Sequence, residues 1–329
     1  MELHDLSAGD GVLERVGEVA RAALERYRVS PAATVTLINV SENATFRVDD
    51  PETGGRSILR VHRLGYHSAA AIASELAWLE ALRVEEGVRT PGVIGSADGE
   101  RVVRAGGRNV VMFEFLPGAE PRDDRLVDGF KQLGAVTARM HRHALRWRRP
   151  SGFTRFAWDW EAAFGAESRW GRWQDGVGVD DAARAVLLRL EHRLRERIGR
   201  YGRSAERFGL IHADMRLANL LDDGGPEPSV IDFDDCGFGW HVYDLAAALS
   251  FIEHEPVVPE LIDAWLDGYR GEEPLGADDE REIWTFILFR RLLLVAWIGS
   301  HQGVDIAREL GAGYTLGTCE LAERYLTSP

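Results

Sequence analysis

The stretch GLIHADMRLANLLDDGGPEPSVIDFDDCGFGWHVYD, from Gly209 to Asp244, constrains this chain more than any other part of it. His212, Asp214 and Asn219 stand in a His-x-Asp-x-x-x-x-Asn spacing, bracketed by the apolar pairs Leu210-Ile211 and Leu220-Leu221. A polar loop is thereby pinned between two short strands. The run Asp222-Asp223-Gly224-Gly225-Pro226 is a turn, and Val230-Ile231 starts the next strand, so that Asp232 returns toward Asn219. Asp222, Asp223 and Asp235 read as ordinary turn residues.

Carboxylates gathered this closely repel one another unless a cation sits among them. The arrangement suits transfer of a phosphoryl group from a magnesium nucleotide, which needs a base beside the attacking hydroxyl and oxygen ligands that hold the metal on the phosphates. Asp214 is the candidate base. Asn219 and Asp232 are the candidate Mg²⁺ ligands, hard oxygen donors of the kind this ion prefers. The spacing is similar to the catalytic loop of protein kinases. The whole stretch resembles more closely the aminoglycoside phosphotransferase and choline kinase superfamily, through His212 to Asn219, then Ile231-Asp232-Phe233-Asp234, then Asp244-Leu245-Ala246.

The resemblance implies an α+β, two-lobed, protein-kinase-like fold: a small antiparallel sheet in an N-terminal lobe (1–116) that takes ATP, and a mostly helical C-terminal lobe (117–329) with the catalytic loop and acceptor site. It implies that His212 and Asp244 buttress the loop. Arg60 stands where the family carries a basic residue on its third strand, with Glu75 as its partner. Ser41 and Asn43 fall at the phosphate-covering hairpin, backbone groups of Glu114, Phe115 and Leu116 at the adenine edge with Met112 lining the pocket, and Arg216 where serine/threonine kinases face the transferred phosphate with a lysine. Asp234, two residues beyond Asp232, shares its face if that segment is a strand.

Local patterns agree with this outline. Residues 12–27 read as an amphipathic helix, and 35–38, 44–48, 57–61, 102–104 and 109–115 as strands. Ser68 caps a helix running to about Glu86. Helical periodicity returns at 124–146, 180–200, 256–269, 279–299 and 303–326. A tryptophan-rich segment, 151–178, either seats an insertion on the core or holds an ammonium group.

At 329 residues the chain exceeds the size of one core. Its 2 cysteines support neither a disulfide framework nor a zinc site, and no secretory signal is visible, so a cytoplasmic setting is expected. The apolar run FILFRRLLLVAWIG is split by Arg290 and Arg291 and reads as a buried helix with no membrane partner. A net charge of −14 argues against nucleic acid as a partner and admits an amine-bearing substrate, with Glu253, Glu255, Asp263, Asp267, Glu272 and Glu273 as acidic candidates near the acceptor. Lys131 is the only lysine. The expected activity is ATP-dependent phosphorylation of a hydroxyl on a small molecule. The rival readings are a protein serine/threonine kinase of the bacterial stress-kinase type and a nucleotide-binding pseudokinase, the latter because position 60 is not lysine. Acceptor identity, ATP against GTP and oligomeric state stay open.

Overall fold

The computed structural model describes residues 10–40, 43–225 and 227–327. Internal contacts divide the chain into two compact units: Met1–Val84, Arg89–Pro117 and Arg149–Thr154 in one, Glu85–Val88, Gly118–Arg148 and Arg155–Pro329 in the other.

The first unit runs α1 (Asp10–Leu24), β1 (Thr34–Val40), β2 (Ala44–Asp50), β3 (Gly55–Val61), α2 (Ala69–Ala81), β4 (Val93–Ile94), β5 (Val103–Ala105) and β6 (Arg108–Glu114). Its antiparallel sheet has the order β1-β2-β3-β6-β4, with β5 paired to β6. Strand alternation sorts the side chains into two faces. Phe46, Val48, Leu59, Val61, Val110 and Met112 pack with Val16, Ala20 and Ala23 of α1, each large apolar side chain contributing about 1.5–3 kcal/mol of burial. Arg60 therefore projects from the opposite face, as Thr45 and Val111, its register partners, do. Met112 belongs to the α1 core, which removes it from the expected adenine pocket. Ser68 accepts a hydrogen bond from Ala71 N at 3.1 Å and starts α2. The α-helix passes after Ala81 into a π-helical turn, Leu82–Glu86, so that the helical run ends where its pattern suggests, and this turn carries the chain across the boundary between units.

The second unit runs α3 (Leu126–Arg146), α4 (Trp160–Phe164), α5 (Asp181–Tyr201), β7 (Phe208–Ile211), β8 (Leu220–Leu221), β9 (Ser229–Val230), β10 (Gly237–Trp240), α6 (Val242–Ala248), α7 (Val258–Glu272), α8 (Ala277–Arg281), α9 (Ile283–Ser300) and α10 (Asp305–Thr327). The α3 and α7 helices approach so closely that a Cβ on Gly134 would lie 2.0 Å from Trp265 O, and one on Gly268 1.9 Å from Lys131 O. Glycine is required at both. The α9 helix is long and apolar enough to cross a membrane, yet most of it is buried within the unit, Arg290 and Arg291 included. Its burial beneath α6 and α10 accounts for its composition.

The tryptophan-rich segment is seated on this core. Trp158, Trp170 and Trp173 are buried; Trp158 Nε1 donates to Asp235 O at 2.7 Å and Trp173 Nε1 to Glu191 at 2.9 Å. Asp159 caps α4 and pairs with Arg203. Several acidic candidates are likewise engaged: Glu253 with Arg291, Glu272 and Glu273 with Arg142, Asp267 with Lys131. Glu253 is buried in that pairing, which removes it from an acceptor-facing role.

Candidate active site

The catalytic loop is held from behind by a buried carboxylate. Asp244, on α6, accepts from Ala213 N at 2.6 Å, from His212 N at 3.2 Å and from His141 Nε2 at 3.0 Å. His141 sits on α3, and its Nδ1 accepts from the Tyr269 hydroxyl of α7 at 3.1 Å, a contact that the glycine-lined approach of those helices permits. His241 stacks on His141 with ring centroids 4.5 Å apart. Burial, followed by the neighbouring His141, drives the His241 pKa down to about 3. The His212 ring bonds Ile231 O at 3.1 Å and packs on Phe233.

Three non-glycine residues have positive φ among the described residues: Ala213 (68°), Asp232 (62°) and Phe251 (75°). This backbone costs an ordinary residue about 1–2 kcal/mol, and the two bonds from Asp244 hold it at positions 212–213. The first two flank the candidate base and supply the candidate metal ligand. The ring of the third lies 5.8 Å from the Arg216 guanidinium.

Asp214 is surrounded by donors. Arg290 Nη2 reaches its Oδ1 at 3.1 Å. Arg216 Nε contacts Oδ1 at 3.2 Å and Oδ2 at 3.3 Å. Asn219 Nδ2 donates to Oδ2 at 3.0 Å and to the Asp214 carbonyl at 2.7 Å. Burial pushes the Asp214 pKa upward, but the charges of Arg216 and Arg290 outweigh it and hold the carboxyl below its ordinary value. A carboxylate so stabilised is a weak base, better suited to orienting a hydroxyl than to removing its proton early, and a loose phosphoryl transition state asks for little more.

Because both neighbours of the Asn219 amide are acceptors, its NH₂ must face them and its carbonyl oxygen must face away. That oxygen and the exposed carboxylate of Asp232 are hard donors that fit Mg²⁺ or a similar divalent ion, with phosphate oxygens and water completing the set. Among the described residues no group of three or more His, Cys, Asp or Glu is placed to hold a metal ion. Asn219 O accepts from Ile231 N at 2.9 Å, so the β8–β9 hairpin returns the chain to the loop. Asp234 does not share a strand face with Asp232, because the left-handed Asp232 opens a 3₁₀ turn, Phe233–Asp235, in which Asp234 is buried.

The first unit holds its own set. Arg60 Nη2 lies 2.5 Å from Glu75 Oε1, with side chains 7% and 0% exposed, and the guanidinium stacks 5.1 Å from the Phe113 ring. Asn43 is buried and its Oδ1 accepts from Arg63 N at 3.2 Å; Ser41 lies outside the described residues. The Glu114 carboxylate pairs with Arg83 at 2.8 Å, and its backbone N–H is already donated to Gly92 O at 2.8 Å. Glu114 therefore has no N–H to offer an adenine.

Sequence reasoning missed Arg290. It read as a charge interrupting an apolar run, whereas it is the deepest contact of Asp214, 76 residues away in the chain. The signal was the charge itself, since a buried arginine requires a partner.

A His-Asp-Asn loop in the second unit and a buried Arg–Glu pair on the antiparallel sheet of the first are the features expected of a protein-kinase-like phosphotransferase. The profile of the Phosphotransferase enzyme family (APH) matches residues 34–281, and the chain belongs to that family. A solved structure of a microcompartment-associated aminopropanol kinase is 48% identical, with a TM-score of 0.87 over 94% of this chain and 97% of that one. Amicoumacin kinase of Bacillus subtilis is 26% identical over 265 residues, 76% of this chain and 75% of its own length. An amicoumacin kinase solved with AMP-PNP, Ca²⁺ and Ami is 23% identical, with a TM-score of 0.74 over 97% of this chain and 93% of that one, a likeness of fold. The chain is a small-molecule kinase.

Proposed function

We propose that this enzyme transfers the γ-phosphoryl group of ATP to the hydroxyl of a small amino alcohol of the aminopropanol type. The observation that carries the acceptor class is the 48% identity to aminopropanol kinase across 94% of the chain. In this reading the acceptor oxygen bonds to the γ-phosphorus as the bond to the bridging oxygen breaks. ADP keeps the electron pair, and the hydroxyl proton passes to the Asp214 carboxylate.

Asp214 orients the hydroxyl, Arg216 neutralises the transferring group, and Arg60, braced by Glu75, binds phosphate oxygens. Asn219 and Asp232 would hold Mg²⁺, which would supply positive charge against the phosphates. Backbone groups of Glu114, Phe115 and Leu116 receive the adenine, with Glu114 limited to its carbonyl because its N–H is spent on Gly92. Asn43 lies at the hairpin that covers the phosphates. A cytoplasmic setting fits this use of ATP.

The test measures ADP formation across 1-amino-2-propanol, ethanolamine, choline, homoserine, an aminoglycoside, a neutral sugar and a protein acceptor. Amino alcohols should give the highest kcat/KM. Preference for a neutral sugar would overturn the acceptor class, and preference for the protein would favour the stress-kinase reading.

A further inference from the structure

The two arginines on Asp214 are held very differently. Every nitrogen of the Arg290 guanidinium has its own partner: Nη2 on Asp214 Oδ1, Nη1 on the Tyr243 hydroxyl at 2.9 Å, and Nε on Ser250 Oγ at 3.2 Å. The group is sandwiched, with the Trp170 and Tyr243 ring centroids 5.1 and 5.6 Å away, and its side chain is 4% exposed. Arg216 is 33% exposed and spans both oxygens of Asp214 at 3.2–3.3 Å. Asn219 holds Oδ2 through an amide that is also tied to the backbone.

We infer that Arg290 is the positioning residue of the catalytic carboxylate, a permanent clamp on Oδ1 matched by Asn219 on Oδ2, while Arg216 is an exchangeable cover lying where the acceptor hydroxyl must bind. The inference rests on the reading of Asp214 as the base. A carboxylate has about four lone-pair sites. When Arg216 swings from Asp214 to the transferring phosphoryl group, each oxygen keeps one fixed donor and regains a site for the hydroxyl. The carboxylate cannot follow Arg216, because α9 and the loop still hold it. One displacement thus uncovers the base and delivers a cation to the charge that develops on phosphorus. Arg290 touches neither substrate; its chemistry is exerted through Asp214.

Arg290→Met keeps the length and burial of the side chain while removing its charge and fork. Loss of such a supporting contact costs about 10- to 100-fold, and the loss should fall on kcat, with KM for ATP unchanged within twofold. Arg290→Lys keeps a cation that cannot serve three partners at once, and should recover part of kcat. Arg216→Ala should lower kcat while leaving or lowering KM for the acceptor, because the cover is gone. Turnover is followed both with the acceptor that the substrate screen selects and as slow hydrolysis of ATP by water. Failure of the amino-alcohol reading thus removes the first readout and leaves the second.

A folded Arg290→Met enzyme with the parent kcat, or one in which KM for ATP rises in step with the fall in kcat, overturns the inference. If Arg290→Met does not fold, Arg290→Lys decides: a fall in kcat at constant ATP KM supports the clamp, and parent kinetics overturn it.

Discussion

Replacing Arg60 with alanine leaves a carboxylate at full burial with nothing to balance its charge. Glu75 is 0% exposed, Arg60 Nη2 lies 2.5 Å from Oε1, and Oε2 has no hydrogen-bond partner among the described residues. Removing one member of a buried ion pair costs about 3–5 kcal/mol, a large part of the ~5–15 kcal/mol that holds a protein folded. The damage should be greatest in the first unit, where β3 and α2 meet through this contact. Adding Glu75→Gln removes the stranded charge, so the double variant should regain about 2 kcal/mol relative to Arg60→Ala alone. Urea unfolding, with hydrogen exchange read on peptides covering β3 and α2, measures both quantities. Loss of a charge-assisted bond to phosphate oxygens, roughly 1.5–3 kcal/mol, should also raise the ATP KM at least tenfold, and this defect should persist in the double variant. The reasoning fails if Arg60→Ala costs less than about 1 kcal/mol, or if the two substitutions simply add.

Two further outcomes follow from the site. Asp214→Asn should lower turnover by about 10²- to 10⁴-fold while the affinity for an ATP analogue, measured by calorimetry, stays near that of the parent; parent turnover would exclude Asp214 as the base. His241 should make the fold acid-sensitive: its pKa is about 3 in the folded chain against an ordinary 6.5, so the unfolded chain binds the extra proton between those values. Stability is then full above about pH 6.5 and falls as pH drops toward 3. His241→Asn, which can still donate to Glu206 O, should flatten the thermal midpoint against pH over that window, and an unchanged slope would clear His241 of the effect.

Much of this architecture was legible because it is local. The 3.6-residue pattern of 124–146 matches α3, and the turn residues from Asp222 to Gly225 lie between the strands of a hairpin that returns to Asn219. What escaped depended on distant chain. Nothing near Met112 says which face of β6 meets α1, and only the packing settles it. The β7 strand pairs with β10 across the entire catalytic segment rather than with its nearer neighbours. The setting of Asp234 stayed open because one left-handed residue, Asp232, ends strand alternation without any glycine to announce it. His141 lies on an amphipathic helix like any buried polar residue, and its link to Asp244 appears only when α3 packs beside α6.

An arginine at position 60 also changes what reagents can do to this enzyme. A guanidinium keeps its proton at any ordinary pH and has no lone pair to offer an electrophile. Nucleotide analogues that carry an amine-reactive warhead find no target on β3, and covalent probes built for relatives with a lysine there will pass this enzyme by. The one lysine side chain, Lys131, stands on α3 paired with Asp267, both more than half exposed. Acylation at pH values where that amine is partly deprotonated places a dye or a surface tether at one side-chain position, with the catalytic residues untouched.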